Sequence, residues 1–110
     1  MEPPVDEALR DAAIKRFEYT LEATWKAAQA FLREVHGVSV VSPKEAARAS
    51  LQAGILGDEQ TRYVLLMVDD RNLTVHTYNE ELAEVLFARI AGHADALERW
   101  LAGMRDSFCA

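Results

Sequence analysis

Near the start of the chain, Ile14, Phe17, Leu21, Thr24, Ala28, Phe31 and Val35 follow one another at alternating steps of three and four. That spacing keeps one face of an α-helix turned inward, and Trp25 and Leu32 widen the face. A helix from Asp6 to Val35 is about 45 Å long at 1.5 Å per residue. In a chain of 110 residues such a rod leaves room for one domain with a small core and none for a second. Gly37 is placed to close the helix, because a left-handed cap costs glycine little.

The remaining segments repeat this grammar. "SPKE", Ser42 to Glu45, predicts a capping box opening a short helix from Pro43 to about Ala53, with Gly54 ending it. "GDE" points to Asp58 as the next N-cap, and Tyr63, Leu66, Met67 and Val68 mark the apolar face of a third helix. A fourth is predicted from near Asn79 to about Met104, with Leu82, Leu86, Ile90, Leu97, Trp100 and Met104 on one stripe and His93 on the same line. Val38 to Val41, "VSVV", reads as an extended connector. Ala, Leu, Glu and Arg dominate the sequence, as helices require. The expected fold is all-α, an antiparallel bundle of four helices.

Charge and composition exclude several functions. Twelve Lys and Arg against eighteen Asp and Glu leave a net charge of −6, the wrong sign for coating nucleic acid and better suited to a basic partner surface. No apolar run reaches the roughly 18 residues of a membrane span, and "MEPPVDEALR" is acidic where a signal peptide is basic and then apolar, so a cytoplasmic location is expected. Cys109 is the lone cysteine and reads as a spectator thiol. No spaced Cys and His set, Gly-rich phosphate loop or internal repeat is present, so neither a metal nor another cofactor is expected. His36 fits the negative end of the first helix, His93 reads as a packed or interface residue, and Trp25 and Trp100 as core or dimer contacts.

One stretch stands apart. "DDRNLTVHTYNEEL", Asp69 to Leu82, places Arg71, His76 and Tyr78 within eight positions. On an unbroken helix, residues five apart lie about 140° around the axis, so Arg71 and His76 could not share a face. The β-branched run Thr74, Val75 and Thr77 has low helix propensity, and it predicts a break between Leu73 and Thr77, with Thr77 or Asn79 capping the last helix. Taken singly, Arg71 suits a surface ion pair, His76 a turn, and Tyr78 the rim of the core.

The blocks "RDAAIKRFEYTLEATWKAAQAFL", "SPKEAARASLQAGIL" and "LLMVDDRNLTVHTYNEELAEVLFARI" resemble the nucleotidyltransferase substrate-binding proteins, a branch of the HEPN superfamily. The likeness covers roughly Arg10 to Leu101, and its most specific piece is "RNLTVHTY": Arg, four residues, His, one residue, Tyr. Asn72 fits the polar residue that follows the Arg. The resemblance implies a four-helix bundle that dimerises and is encoded beside a minimal nucleotidyltransferase. It also implies that the bundle lacks a helix the family carries ahead of Arg10. Related toxins cut RNA without metal at paired Arg and His positions; carried over, Arg71 would hold the scissile phosphate, Asn72 would assist, and His76 would act as acid or base. Tyr78 would be the hydroxyl to which the partner attaches AMP, with the nucleotide arriving through that partner.

Three readings follow. The chain is a partner and substrate of a nucleotidyltransferase, a ribonuclease dimer, or a helical dimer that binds a nucleotide or other substrate without chemistry. Between Asp58 and Glu84, seven acidic residues against Arg62 and Arg71 give −5, which favours a basic protein face or a magnesium-bound nucleotide over RNA.

Overall fold

The structure is a computed structural model that describes residues 3–109. Its four helices are α1 (Pro3–His36), α2 (Pro43–Gln52), α3 (Asp58–Leu73) and α4 (Glu80–Cys109), with a single 3-10 turn, Thr74–His76, between the last two. No strand occurs among the described residues, and residues 37–42 form the expected connector, whose Val40 carbonyl accepts from Gln29 Nε2 at 2.8 Å. The side chain of Cys109 lies outside the described residues.

Local chemistry sets each boundary. Gly37, at φ 68°, is left-handed, and its N–H and that of Val38 reach back to the carbonyls of Arg33 and Leu32. Ser42 Oγ accepts from the Glu45 N–H at 3.2 Å, and the Glu45 carboxylate accepts from Val41 N–H at 2.8 Å, one residue before the cap. The N-cap of α3 is Gly57 rather than Asp58, because Gln60 Oε1 folds back onto the Gly57 N–H at 2.8 Å. Asp58 is instead the first helical residue, where its charge faces the positive end of the helix. Asn79 Oδ1 accepts from Leu82 N–H at 3.1 Å and is the cap of α4. That helix runs five residues past Met104.

The all-α helical bundle is borne out, and the directions within it are mixed. α3 runs antiparallel to α4: Tyr63 meets His93, and Asp70 meets Arg89. α1 and α4 lie side by side and parallel, Arg10 beside Glu80 and Glu84, Ile14 against Ala83 and Leu86, Phe17 against His93. The connector, α2 and α3 carry the chain back to the starting end of α1 before α4 begins.

The main core joins Phe17, Leu21, Trp25, Ala28 and Leu32 of α1 to Val64, Met67 and Val68 of α3 and Leu97, Trp100 and Met104 of α4. Trp100 is fully buried, and its Nε1–H donates to Ser50 Oγ of α2 at 3.0 Å. Burying such a side chain contributes about 2 kcal/mol or more, and leaving its N–H unpaired would cancel much of that. Gly103 lets α4 approach the α2 to α3 turn, since a Cβ there would lie 2.3 Å from the Ile55 carbonyl oxygen. Three expected core residues lie outside, one of them Tyr63 at 37% exposed. Leu66 stands two positions, or about 200°, from both Val64 and Val68, and is 61% exposed. Val35, in the last turn of α1, is 49% exposed.

Candidate functional site

The break predicted after Leu73 is where α3 gives way to the 3-10 turn. Thr74 anchors that turn: its hydroxyl lies against the Arg71 carbonyl at 2.7 Å and against the Glu18 carboxylate of α1. The Asn79 N–H then bonds the His76 carbonyl at 3.0 Å and starts α4. The outcome is a rigidly ended α3, a short exposed turn and a capped α4, with the candidate side chains on the turn and its flanks.

His76 and Tyr78 are brought together. His76 Nδ1 lies 3.3 Å from the Tyr78 hydroxyl, with the rings 5.8 Å apart and near perpendicular. Both are open to solvent, Tyr78 at 83%. Arg71 points instead to α1, where its guanidinium lies 3.4 Å from Glu22 Oε1, an oxygen that also accepts from Trp25 Nε1 at 3.2 Å. Asn72 is exposed. Among the described residues no hydrogen bond joins Arg71 or Asn72 to the His76 and Tyr78 pair. A phosphate bound by Arg71 would therefore displace Glu22 or share the guanidinium with it.

Several of the acids counted along Asp58 to Glu84 are paired in the fold. Lys44 pairs with Asp69 at 2.6 Å, Arg89 with Asp70 at 2.7 Å, and Arg10 with Glu80 and Glu84 at 2.9 Å each. These three cations come from outside the segment, but so do the carboxylates of Asp11, Glu18 and Glu22, which stand against Arg10, Thr74 and Arg71, so the surroundings of the turn stay acidic. Arg10 is buried, and Glu80 first and Glu84 second hold its pKa well above the ordinary guanidinium value. The clamp fixes the first turn of α4, directly after Tyr78.

A second polar cluster was not marked as a site in the sequence. His93, buried in α4, lies with Nε2 2.8 Å from Asp70 Oδ2 and Nδ1 2.9 Å from the Tyr63 hydroxyl. Arg89 donates to the other Asp70 oxygen at 2.7 Å. The hydrogen-bond pattern assigns the tautomer: Nε2–H donates to Asp70, which leaves Nδ1 to accept from the Tyr63 O–H. Burial first, then the charge of Asp70, raise the Tyr63 pKa above the ordinary phenol value. The available signal was that Tyr63 and Asp70, seven apart, share a helix face, while His93 is an imidazole on an apolar stripe.

The chain belongs to the family described as "Nucleotidyltransferase substrate binding protein like", which it matches over residues 1–106. The crystal structure of a Thermus thermophilus protein superposes with a TM-score of 0.86 at 51% identity, covering 96% of this chain and 86% of that one. A Haemophilus influenzae protein named "Probable ribonuclease HepT" is 30% identical over 90 residues, which are 78% of this chain and 60% of that protein. The chain thus spans less than two thirds of that curated relative's length. Among the described residues no helix is long and apolar enough to cross a membrane.

Proposed function

We propose that this chain is the HEPN-type partner and substrate of a minimal nucleotidyltransferase, a single-domain cytoplasmic toxin that is silenced when AMP is attached to Tyr78. The observation that carries the reading is the position of Tyr78. Its hydroxyl projects from the short turn before α4, 83% exposed and 3.3 Å from an imidazole, in a chain of the nucleotidyltransferase substrate-binding family. A large enzyme can reach such a hydroxyl, and His76 can take its proton as oxygen attacks phosphorus. The paired acids around the turn leave fewer free negative charges to repel a magnesium-bound nucleotide.

Homodimerisation is part of the proposal. A mainly apolar groove of about 150 Å³ between α1 and α4, lined by Ala13, Phe17, Thr20, Ile90, Ala94 and Leu97 with Arg16 at its edge, supports burial of this face against another copy. Intact mass is the test. Incubation with a cognate nucleotidyltransferase, ATP and magnesium should add one or more AMP units, and Tyr78→Phe should remove the unit found on the peptide that carries residue 78. No gain in the unaltered chain removes the reading.

A second reading is favoured by the exposed imidazole of His76 and by the name of the Haemophilus influenzae relative. Here the unmodified dimer cuts RNA, with Arg71 binding the phosphate, His76 moving the proton and Asn72 orienting the substrate. Purified chain should then degrade RNA in the presence of a chelator, and His76→Ala should not. Equal RNA decay with the two proteins defeats it.

A further inference from the structure

The chain holds two tyrosine and histidine pairs, and they are built differently. At the exposed turn, Tyr78 meets His76 at 3.3 Å, and no carboxylate hydrogen-bonds that imidazole among the described residues. Between α3 and α4, Tyr63 meets His93 at 2.9 Å, and His93 is itself held by Asp70 at 2.8 Å. The second arrangement is a nucleophile, a base and an orienting acid in sequence, the pattern by which a weak hydroxyl nucleophile is activated.

Tyr63 also faces open space. Its ring borders a groove of about 340 Å³ lined with Gln60, Gly92, Ala96 and Arg99, within the range of small-ligand sites. The phenol oxygen passes close to Gly92 of α4, since a Cβ there would lie 2.6 Å from it. The ionic groups of the groove are matched, Asp95 with Arg99 at 2.8 Å and Glu59 with Arg62 at 3.0 Å, so a phosphate ester meets no uncompensated row of carboxylates there.

We propose that Tyr63 is a second nucleophile of this protein, activated by His93 and Asp70, and that it accepts a nucleotidyl group from a nucleoside triphosphate. The identity of the donor rests on the nucleotidyltransferase reading given above; the activation of the phenol does not. In the step, the phenol oxygen bonds the α-phosphorus while the bond from that phosphorus to the pyrophosphate oxygen breaks. Pyrophosphate leaves with its electron pair. The phenolic proton passes to His93 Nδ1, and the resulting imidazolium is stabilised by Asp70 until solvent removes the proton. Burial keeps the Tyr63 proton on oxygen in the resting protein, so the proton must leave within the step and His93 is placed to take it.

The test uses the unaltered chain and a phosphorus electrophile that needs no enzyme, diisopropyl fluorophosphate, which loses fluoride when a hydroxyl attacks. Peptide mass spectrometry reads the rates at Tyr63 and at Tyr19, a phenol 68% exposed and with no imidazole partner among the described residues. Relay activation predicts labelling at Tyr63 about tenfold faster than at Tyr19, although Tyr63 is only 37% exposed. His93→Gln, checked for native helix content, should remove the advantage. A Tyr63 rate equal to or below that of Tyr19 in the unaltered protein overturns the proposal. Since the partner enzyme is absent from this experiment, its outcome is independent of whether Tyr78 is the modified residue.

Discussion

His93 Nε2 lies 2.8 Å from Asp70 Oδ2 in the buried seam between α3 and α4. One residue earlier, Asp69 pairs with Lys44 at 2.6 Å, a shorter contact between groups that water reaches. The two neighbouring aspartates separate burial from distance as determinants of strength. Removing Asp70 leaves the Nε2–H of the neutral, buried His93 without its partner, at about 1 to 3 kcal/mol, while an exposed pair contributes about 0 to 1 kcal/mol. Arg89 is half exposed and can turn to solvent, so it adds little. Asp70→Ala should cost about 2 kcal/mol in urea unfolding and Asp69→Ala under about 1 kcal/mol. Equal losses would mean that the buried seam contributes no more than a surface contact.

Two helical glycines of α4 make different predictions for one substitution. Alanine gains about 1 kcal/mol over glycine in a helix interior. At Gly103 the new Cβ would meet the Ile55 backbone oxygen at 2.3 Å, and backbone there cannot yield without moving the turn before α3. Overpacking of this sort costs about 1 to 3 kcal/mol, which outweighs the gain, so Gly103→Ala should lower the melting temperature. At Gly92 the obstacle is the far end of the Tyr63 side chain at 2.6 Å, which can swing away. Gly92→Ala should leave stability nearly unchanged while displacing the phenol from His93, visible as a shift of the His93 ring resonances.

Much of this was legible in the sequence, for identifiable reasons. The α1 stripe, the cap at Ser42 and the break after Leu73 are local: each depends on residues within about one turn of one another, and each appears where expected. What escaped was long-range. The parallel packing of α1 with α4 follows from how the connector and two helices fill the return path, which no single segment encodes. The local charge count could not see partners from distant segments: Arg10, 70 positions from Glu80, and Lys44 and Arg89 pair with four of its acids. Leu66 departs from expectation because five consecutive apolar residues, Val64 to Val68, leave the inward arc undefined until the packing partners are known. Of the candidate site, His76 and Tyr78 come together, whereas Arg71 is claimed by Glu22, a residue of another helix.

The cap at Asn79 joins stability to the proposed chemistry. Its side chain holds the Leu82 N–H at 3.1 Å, and the helix it starts carries Glu80 and Glu84 onto Arg10. Asn79→Ala should cost about 1 kcal/mol. Fraying of that first turn should loosen the adjacent segment, so amide exchange at residues 77–80 should quicken while exchange in the α3 core stays slow. Uniform acceleration across the bundle would show the cap to be part of the global unfolding unit instead.

Tyr63 gives a pH prediction whose sign follows from its raised pKa. A phenol in the unfolded chain titrates near about 10. In the folded protein, burial and the charge of Asp70 place the value higher, so the native state holds this proton more tightly than the unfolded chain does. The stability this contributes is complete below the unfolded value and is lost as pH rises through the folded one. Unfolding free energy measured from neutral pH upward should therefore begin to fall as pH passes about 10, and the Tyr63 ring resonances should shift only at a higher pH than a free phenol's. In Asp70→Asn the carboxylate charge is gone and the Tyr63 titration should move down toward the ordinary value. An unchanged titration in that variant would mean that burial alone sets the shift and that the charge of Asp70 is not felt at the phenol through His93.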